Sequence, residues 1–531
     1  MERMAFSEQM RRIDRRAAGE AGISSLTLME RAAEAVTAEV LTLLPRENAP
    51  LEILTAAGPP GTEPEKEDSR PRVGIFCGPG SNGGDGTAAA CLLLERGCRV
   101  RAFLVGDRSR MTPDALAMEK KLKKAGGELE EYVPGDRERG QWICSCRCLV
   151  DALFGTGLSR PLTGDFRAAA EEMNGSGCPV VACDVPSGVS ADTGEILGTA
   201  VEAAVTVTFT CPKPGLFLGD GGPCAGRTVT ADIGIPGSVV LAELGRDPEP
   251  VYRVGRGHCM LPRRSRTAHK GDFGRLFILA GSEGYTGAPV LASRAAVRSG
   301  AGLVFLGVPR EIYAVTAVKC DEAMPFPLPE DYESIRKRAQ ACDAVLIGPG
   351  LGRRPETEQL VLRLLADLAV PVVLDADGLN ALAGHPDVLD AREALTVLTP
   401  HGGEFSRLTG CALPVENRLA AARKFAREHG CVMILKGHNT VTAAPDGTAW
   451  INTSGNPGMA KGGSGDVLAG ILAGLLAQKQ LAAGAELCAS GVFWHGAAGD
   501  RCAEKLGEYG MTPSDMIGEL PFVLKENTCR Y

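Results

Sequence analysis

The chain has no long hydrophobic run. Its longest apolar helix candidate, Val467 to Ala477, is far too short for a bilayer, which needs about 20 apolar residues. No apolar core follows the opening Met1-Glu2-Arg3-Met4-Ala5-Phe6, so no secretory leader is expected. Basic runs are missing too, and a net charge of -8 argues against a nucleic-acid footprint. Cysteine is not scarce, at 18 residues, but no Cys-x-x-Cys pair occurs and the thiols scatter along the whole length. A thiolate metal site would need a second ligand pair at matching spacing, so buried thiols in a reducing compartment are the preferred reading. One cluster, Cys144, Cys146 and Cys148, alternates as a strand would, which puts all three on one face. A soluble, cytoplasmic protein that binds neither membrane nor nucleic acid is expected.

At 531 residues, the chain exceeds one ordinary core, and two or three domains are expected. Apolar residues at 44% and charged residues at 23% are ordinary for a soluble chain. In the first half, Arg72 to Cys77, Val100 to Val105, Cys148 to Phe154, Val180 to Asp184 and Val205 to Thr210 read as strands. Stretches such as Ala88 to Arg96 between them read as helices, which makes parallel βαβ units. Gly58 to Pro71 reads as a solvated insertion. Strand candidates resume at Leu276 to Ala280, Gly302 to Val308, Ala344 to Gly348, Val372 to Asp375, Ala394 to Thr399 and Val432 to Lys436. The weakly patterned stretch Pro236 to Arg256 between the halves reads as the domain junction.

Two glycine motifs carry the chemistry. Lys461-Gly462-Gly463-Ser464-Gly465-Asp466 runs into an apolar helix, so bare amides and a helix start can hold an anion. The order of residues fails the P-loop pattern. Asp466 falls in the first helical turn, either as a base at the lip of a phosphate cradle or as a helix cap. In the first half, Gly78, Gly80 and Gly83 satisfy G-x-G-x-x-G after a strand. Asp85 argues against a dinucleotide site, since it sits where a pyrophosphate should lie, and no acid stands about 20 residues on.

Gly78 to Gly86 resembles the signature loop of NAD(P)H-hydrate epimerases, with Ser81 where that family has a first asparagine. Met10 to Asp14, Gly22-Ile23 and Leu28-Met29-Glu30 resemble its N-terminal helices. Asp151 to Pro161, Asp184 to Val189 and Thr210 to Leu216 are similar to its later loops. The resemblance implies a potassium ion on Asn82, Asp151 and Ser187. It implies substrate contacts at Asn82, Gly83, Gly84, Asp85 and Gly86, and again at Gly155, Thr156, Gly157, Leu158, Ser159, Arg160 and Pro161. Asp184 is the implied acid/base and Lys213 its partner; taken singly, the first could be a turn residue and the second a solvated surface lysine.

The second half resembles ADP/ATP-dependent NAD(P)H-hydrate dehydratases, relatives of ribokinase-like small-molecule kinases. The likeness runs from His269-Lys270-Gly271 through Gly348-Pro349-Gly350, Asp375-Ala376-Asp377 and Thr399-Pro400-His401 to the Asp466 loop. It implies nucleotide contacts at Lys436, Gly437, His438, Asn439 and Thr440, an anion hole including Gly465, and Asp466 as general base. Ala288, Gly350, Gly352 and His401 are implied contacts to the hydrated nicotinamide nucleotide. Asn380 and Glu404 are candidates to organise Mg2+ and water, or else to brace the loop.

The fold class expected is α/β in two domains. Residues 1–240 form a Rossmann-like three-layer αβα sandwich with epimerase activity, and residues 250–531 a ribokinase-like α/β domain with dehydratase activity. Hydrated NADH and NADPH are the expected substrates, ADP or ATP the co-substrate, K+ and Mg2+ the ions, and a homo-oligomer the assembly. A small-alcohol or vitamin-precursor kinase carrying a non-catalytic binding module is the alternative.

Overall fold

A computed structural model describes residues 2–44, 70–261, 264–479 and 484–528. Two compact units emerge, Met4–Asp247 and a second made of Met1–Arg3 with Pro248–Tyr531. Both are α/β with parallel sheets, as the alternation of apolar runs and helical stretches implies.

In the unit Met4–Asp247, seven strands are all parallel. Across the sheet they run Leu129–Glu131, Arg99–Leu104, Arg72–Cys77, Cys148–Ala152, Val180–Cys183, Val205–Phe209 and Arg227–Ala231. Alternate residues serve opposite faces: Val73, Ile75 and Cys77 join one core cluster, whereas Phe76 joins the other. Both faces are buried, which explains why these strands read as continuous apolar runs. The chain leaves Arg72–Cys77 to build one side of the sheet, then returns to its other side at Cys148–Ala152. That reversal opens a crevice at the carboxyl ends of these two strands, the usual place for a ligand in an open α/β sheet.

The second unit holds an 11-stranded sheet. Its parallel part runs Val432–Leu435, Thr396–Leu398, Val372–Leu374, Ala344–Ile347, Arg275–Leu279, Leu303–Val308 and Met324–Pro327. Val441–Ala443 and Ala449–Asn452 extend it as antiparallel strands, followed by Val251–Val254 and the short edge strand Glu2–Arg3. The reversal here lies between Arg275–Leu279 and Ala344–Ile347, where Gly281 N donates to Pro349 O at 2.8 Å.

Two expectations fail locally. Cys144, Cys146 and Cys148 do not share a strand: Cys144 ends the helix Arg137–Cys144 and is exposed, Cys146 is buried in the turn, and Cys148 opens the next strand. Cys146 N bonds back to Ile143 O at 2.9 Å, so a helix end overrides the alternating pattern. The stretch Pro236 to Arg256, read as the domain junction, holds the helix Gly237–Leu244 and the strand Val251–Val254, and the two units divide within it, between Asp247 and Pro248. The helix expected from Ala88 begins at Ser81. The insertion Gly58 to Pro71 lies, up to residue 69, outside the described residues.

Candidate functional site

In the unit Met4–Asp247, the glycine motif is loop only as far as Gly80 and helix from Ser81 on. Ser81–Glu95 starts at the motif's own serine, and its glycines are there for packing. A Cβ on Gly83 would lie 1.7 Å from Gly78 O, and one on Gly86 2.4 Å from the Ala152 Cβ. Bare glycines therefore let the helix settle onto both strands of the crevice, bringing Asn82 and Asp85 to its mouth. Ser81, the departure from the family pattern, is exposed at the helix start.

Asp184 follows the strand Val180–Cys183 with φ of 65°, a left-handed conformation that non-glycine residues rarely hold. Lys213 donates to Asp184 Oδ1 at 2.6 Å, to Thr208 Oγ1 at 2.9 Å and to Phe209 O at 3.0 Å. Its three ammonium hydrogens are thus all used, and the lysine is 1% exposed, not a solvated surface group. Thr156 N reaches Asp184 Oδ2 at 3.3 Å. A Cβ on Gly155 would meet Asp184 Oδ2 at 2.8 Å and Asn82 Oδ1 at 3.2 Å. Asn82, Gly155, Thr156, Asp184 and Lys213 therefore converge, while Gly157, Ser159, Arg160 and Pro161 stay exposed and carry no contact to the pair Asp184–Lys213 among the described residues.

Beneath this group, Asp151 is fully buried. Ser187 donates to it from both its amide and its hydroxyl at 2.7 Å, and Leu153 N adds a bond of 3.2 Å. These neutral donors do not offset the loss of water, and burial lifts the Asp151 pKa to about 6.

In the second unit, the helix Ser464–Leu476 follows Gly463, whose φ of 100° only glycine holds easily. Asp466 lies in its first turn, as expected, but makes no hydrogen bond among the described residues, so it caps nothing. Burial pushes its pKa up to about 7, Asp375 adding repulsion that Lys436 partly offsets. Lys461 is no phosphate ligand: its ammonium closes the end of the helix Gly484–Gly510, donating to Tyr509 O at 2.7 Å.

The strand ends supply what surrounds Asp466. Lys436 Nζ donates to Asp375 Oδ1 at 2.8 Å and lies 3.8 Å from Glu404 Oε2. Thr399 Oγ1 donates to the same Asp375 oxygen at 2.7 Å. A Cβ on Gly465 would stand 3.4 Å from Lys436 Nζ, which shows how near the lysine comes to the helix start. The turn that follows is held from below, Arg418 donating to Leu435 O and His438 O, each at 2.7 Å. On the facing side, Ser282 Oγ donates to Gly350 O at 2.8 Å, Gly352 N to Asp377 Oδ2 at 2.8 Å, and Ala288 abuts Gly350. His401 Nδ1 accepts from Gly403 N at 3.0 Å and caps the helix Gly402–Thr409, while Nε2 lies 3.5 Å from Glu404 Oε1 on a half-exposed ring. Asn380 donates to Asp377 and accepts from Arg407, and Glu404 accepts from His401 N, so both brace the loop.

Sequence reasoning quoted Asp375 and Thr399 within the family motifs but gave them no role, and did not mention Arg418. Asp375 had a readable signal, an acid immediately after a buried parallel strand, where ligands gather. Arg418 had none, because it reaches the turn from a helix across the fold.

Residues 25–215 match the family model described as YjeF-related protein N-terminus, and residues 276–521 that of NAD(P)H-hydrate dehydratase. The chain is 42% identical over 467 residues to the bifunctional NAD(P)H-hydrate repair enzyme Nnr of Moorella thermoacetica, covering 86% of this chain and 87% of that protein. It is 37% identical over 543 residues to the enzyme of the same name from Thermofilum pendens, covering 98% and 96%. A crystal structure of ADP/ATP-dependent NAD(P)H-hydrate dehydratase from Bacillus subtilis, co-crystallised with ATP/Mg2+, is 33% identical. It covers 50% of this chain and 94% of that one, with a TM-score of 0.44.

Proposed function

The chain belongs to the family of bifunctional NAD(P)H-hydrate repair enzymes, and we propose that its two acid-bearing glycine sites divide that repair between them. The enzyme interconverts the R and S epimers of hydrated NADH and NADPH, and dehydrates the S epimer to NAD(P)H with a nucleotide phosphoryl donor, ADP or ATP. Residues of Met4–Asp247 carry the first activity in this reading, and those of Pro248–Tyr531 the second.

The observation that carries the assignment is Asp466, an unpaired carboxyl with a pKa of about 7 at a helix start beside Lys436. A general base works best when its pKa lies near the working pH. The phosphoryl group rests on the amides of Gly463 to Gly465, and the C6 hydroxyl of the substrate attacks it. The new O–P bond forms as the bond to the nucleotide oxygen breaks, and Asp466 takes the hydroxyl proton. The ring nitrogen then pushes electrons to expel phosphate from C6. A proton leaves C5, restoring the dihydropyridine with no redox change. Lys436, Gly437, His438, Asn439 and Thr440 meet the nucleotide, while Ala288, Gly350, Gly352 and His401 meet the hydrated nicotinamide.

In the other unit, Asp184 acts as acid/base, and Lys213 fixes its orientation and supplies the opposite charge. Asn82, Asp85 and Leu158 line the substrate, whereas Gly83, Gly84 and Gly86, expected as contacts, are buried against Gly78, Met29 and Ala152 and serve the packing of the helix. K+ belongs with Asn82, Asp151 and Ser187: Asp151 is buried with no cationic partner among the described residues, and a monovalent ion fits that deficit. Such an ion would supply positive charge to the crevice floor. Mg2+ would enter with the nucleotide, its ligands mainly phosphate oxygens and water, because Asn380 and Glu404 are engaged in bracing. The same reading makes the enzyme a cytoplasmic homo-oligomer; among the described residues no helix is long and apolar enough to cross a membrane.

The test is incubation of hydrated NADH with ADP or ATP, following the return of reduced-nicotinamide absorbance. The S epimer and the mixed epimers should both recover fully. A stable phosphorylated product would overturn the reading in favour of an alcohol kinase.

A further inference from the structure

The chain that leads into the Asp466 turn is fastened along the helix Gly484–Gly510. Ser454 Oγ donates to Phe493 O at 2.8 Å. Asp500 accepts from Gly455 N at 2.9 Å and from Asn456 Nδ2 at 3.0 Å, and Lys461 closes the helix's far end. Glycines bring the helix close. A Cβ on Gly491 would lie 2.9 Å from Leu472 of the Asp466 helix, and one on Gly496 2.2 Å from Ser454 Oγ. Between these two glycines stands His495, 9% exposed, with Nε2 at 2.9 Å from Ser464 O. A carbonyl only accepts, so Nε2 carries the hydrogen and His495 is the donor.

The Ser464 carbonyl and the Gly465 N–H belong to one peptide unit, and in a trans peptide they point in opposite directions. Gly465 N and Asp466 N make no hydrogen bond among the described residues, as the leading amides of a helix have no carbonyl behind them. Gly465 also borders the charged groups of the site: a Cβ on it would stand 3.4 Å from Lys436 Nζ and 3.9 Å from Asp375 Oδ2. We propose that His495 is a positioning residue for phosphoryl transfer. By donating to Ser464 O it fixes the plane of the Ser464–Gly465 peptide and polarises it, which aims the Gly465 N–H at the transferred group. The proposal rests on the reading that this group sits on the amides of Gly463 to Gly465.

A hydrogen bond accepted at a carbonyl draws electron density off the peptide nitrogen, so the N–H of the same unit becomes a stronger donor. Preset donors of this kind matter most where a phosphoryl group is in transit, since positioning and electrostatics carry that reaction. Ser454, Asp500 and Lys461 hold the surrounding chain to the same helix without His495. What the histidine adds is therefore confined to one peptide plane. Burial drives its pKa down to about 4, with the Ser464 bond opposing and Lys436 reinforcing the shift. The ring stays neutral at working pH and leaves the pH profile to Asp466.

The experiment uses the full chain with the S epimer of hydrated NADH and ATP. ADP, Mg2+ and aluminium fluoride together probe the phosphoryl group in transfer. His495→Phe keeps a ring of similar size without the donor, and His495→Met is a second, more adaptable variant lacking it. Each should lower dehydration kcat by about 10- to 10²-fold, the scale of a misaimed group rather than of a lost anion-hole donor. The aluminium fluoride complex should weaken by the same factor. ATP affinity, the pH dependence of turnover and epimerisation of the R epimer should stay as in wild type. His495→Gln, whose side-chain amide can donate to the same carbonyl, should recover most of the turnover. Non-donor variants that turn over like wild type per folded molecule overturn the proposal. So do variants that lose ATP and the aluminium fluoride complex equally, or a His495→Gln protein as slow as they are. Asp466→Asn separates the two layers. If it dehydrates normally, the phosphoryl site itself is misplaced; if it alone is impaired, only the His495 role fails.

Discussion

Asp184 and Asp466 are both aspartates at the lip of a glycine-lined crevice, but their neighbours give them different work. Asp184 is locked by Lys213, Thr208 and the Thr156 amide. Asp466 is unbonded, and burial sets its pKa near 7. A base must be ionised, so dehydratase kcat/KM should fall as pH drops through about 7. The sign for stability runs the other way. A folded pKa above the ordinary carboxylate value means the fold prefers the protonated form, so the ionised form weighs against folding as pH rises. Asp466→Asn should therefore melt no lower than wild type at pH 8, and should still bind nucleotide through the amides of Gly463 to Gly465. Its turnover should drop by about 10²- to 10⁴-fold. Calorimetry for binding, absorbance for turnover and a melting curve check this. A lower melting temperature that tracks the residual activity would make Asp466 a structural residue.

The helix that carries Asp466 owes its position to small residues. A Cβ on Gly470 would lie 2.2 Å from Ala292 O, and one on Gly474 2.3 Å from Ser299 Oγ, so Ser464–Leu476 sits against the helix Gly287–Arg298 and the serine that ends it. Gly470→Ala gains about 1 kcal/mol of helix propensity. The backbone must nonetheless retreat, and overpacking of this kind costs about 1–3 kcal/mol. The clash should win, lowering the melting temperature of this unit and slowing dehydration while epimerisation continues; a variant that melts higher would show that the helices can part freely. This scale also marks what was legible in the sequence. Strands buried on both faces announced themselves as apolar runs, and glycine motifs located both crevices. The helical start at Ser81 was hidden, because glycine-rich sequence disfavours helix and only tertiary packing imposes it there. Arg418 was hidden for a related reason: its role depends on which distant element it faces, and helical periodicity does not encode that.

For the whole molecule, the question is where the two units can be cut. An end at residue 240 would split the helix Gly237–Leu244, whose Leu244 is 3% exposed and whose Glu243 pairs with Arg12 at 2.5 Å on the first helix of the same unit. Losing the burial of one leucine costs about 2 kcal/mol, or roughly 4–8 °C in melting temperature for a unit of this size. We therefore expect a fragment of residues 1–247 to melt higher than one of residues 1–240, and both to epimerise. The complementary piece from Pro248 would lack the edge strand Glu2–Arg3, which pairs with Val251–Val254. Only two residues are lost, and the parallel strands around Asp375, Lys436 and Asp466 lie several strands away in the sheet, so the dehydratase should survive. Unpaired, Val251–Val254 becomes an open edge that can recruit another chain. The fragment from Pro248 should consequently be active but self-associate as its concentration rises, and restoring residues 1–3 as a free peptide or a fusion should reduce that association. Light scattering across a dilution series, alongside activity per folded molecule, would decide it; an inactive monomer would mean that the two units depend on each other for folding.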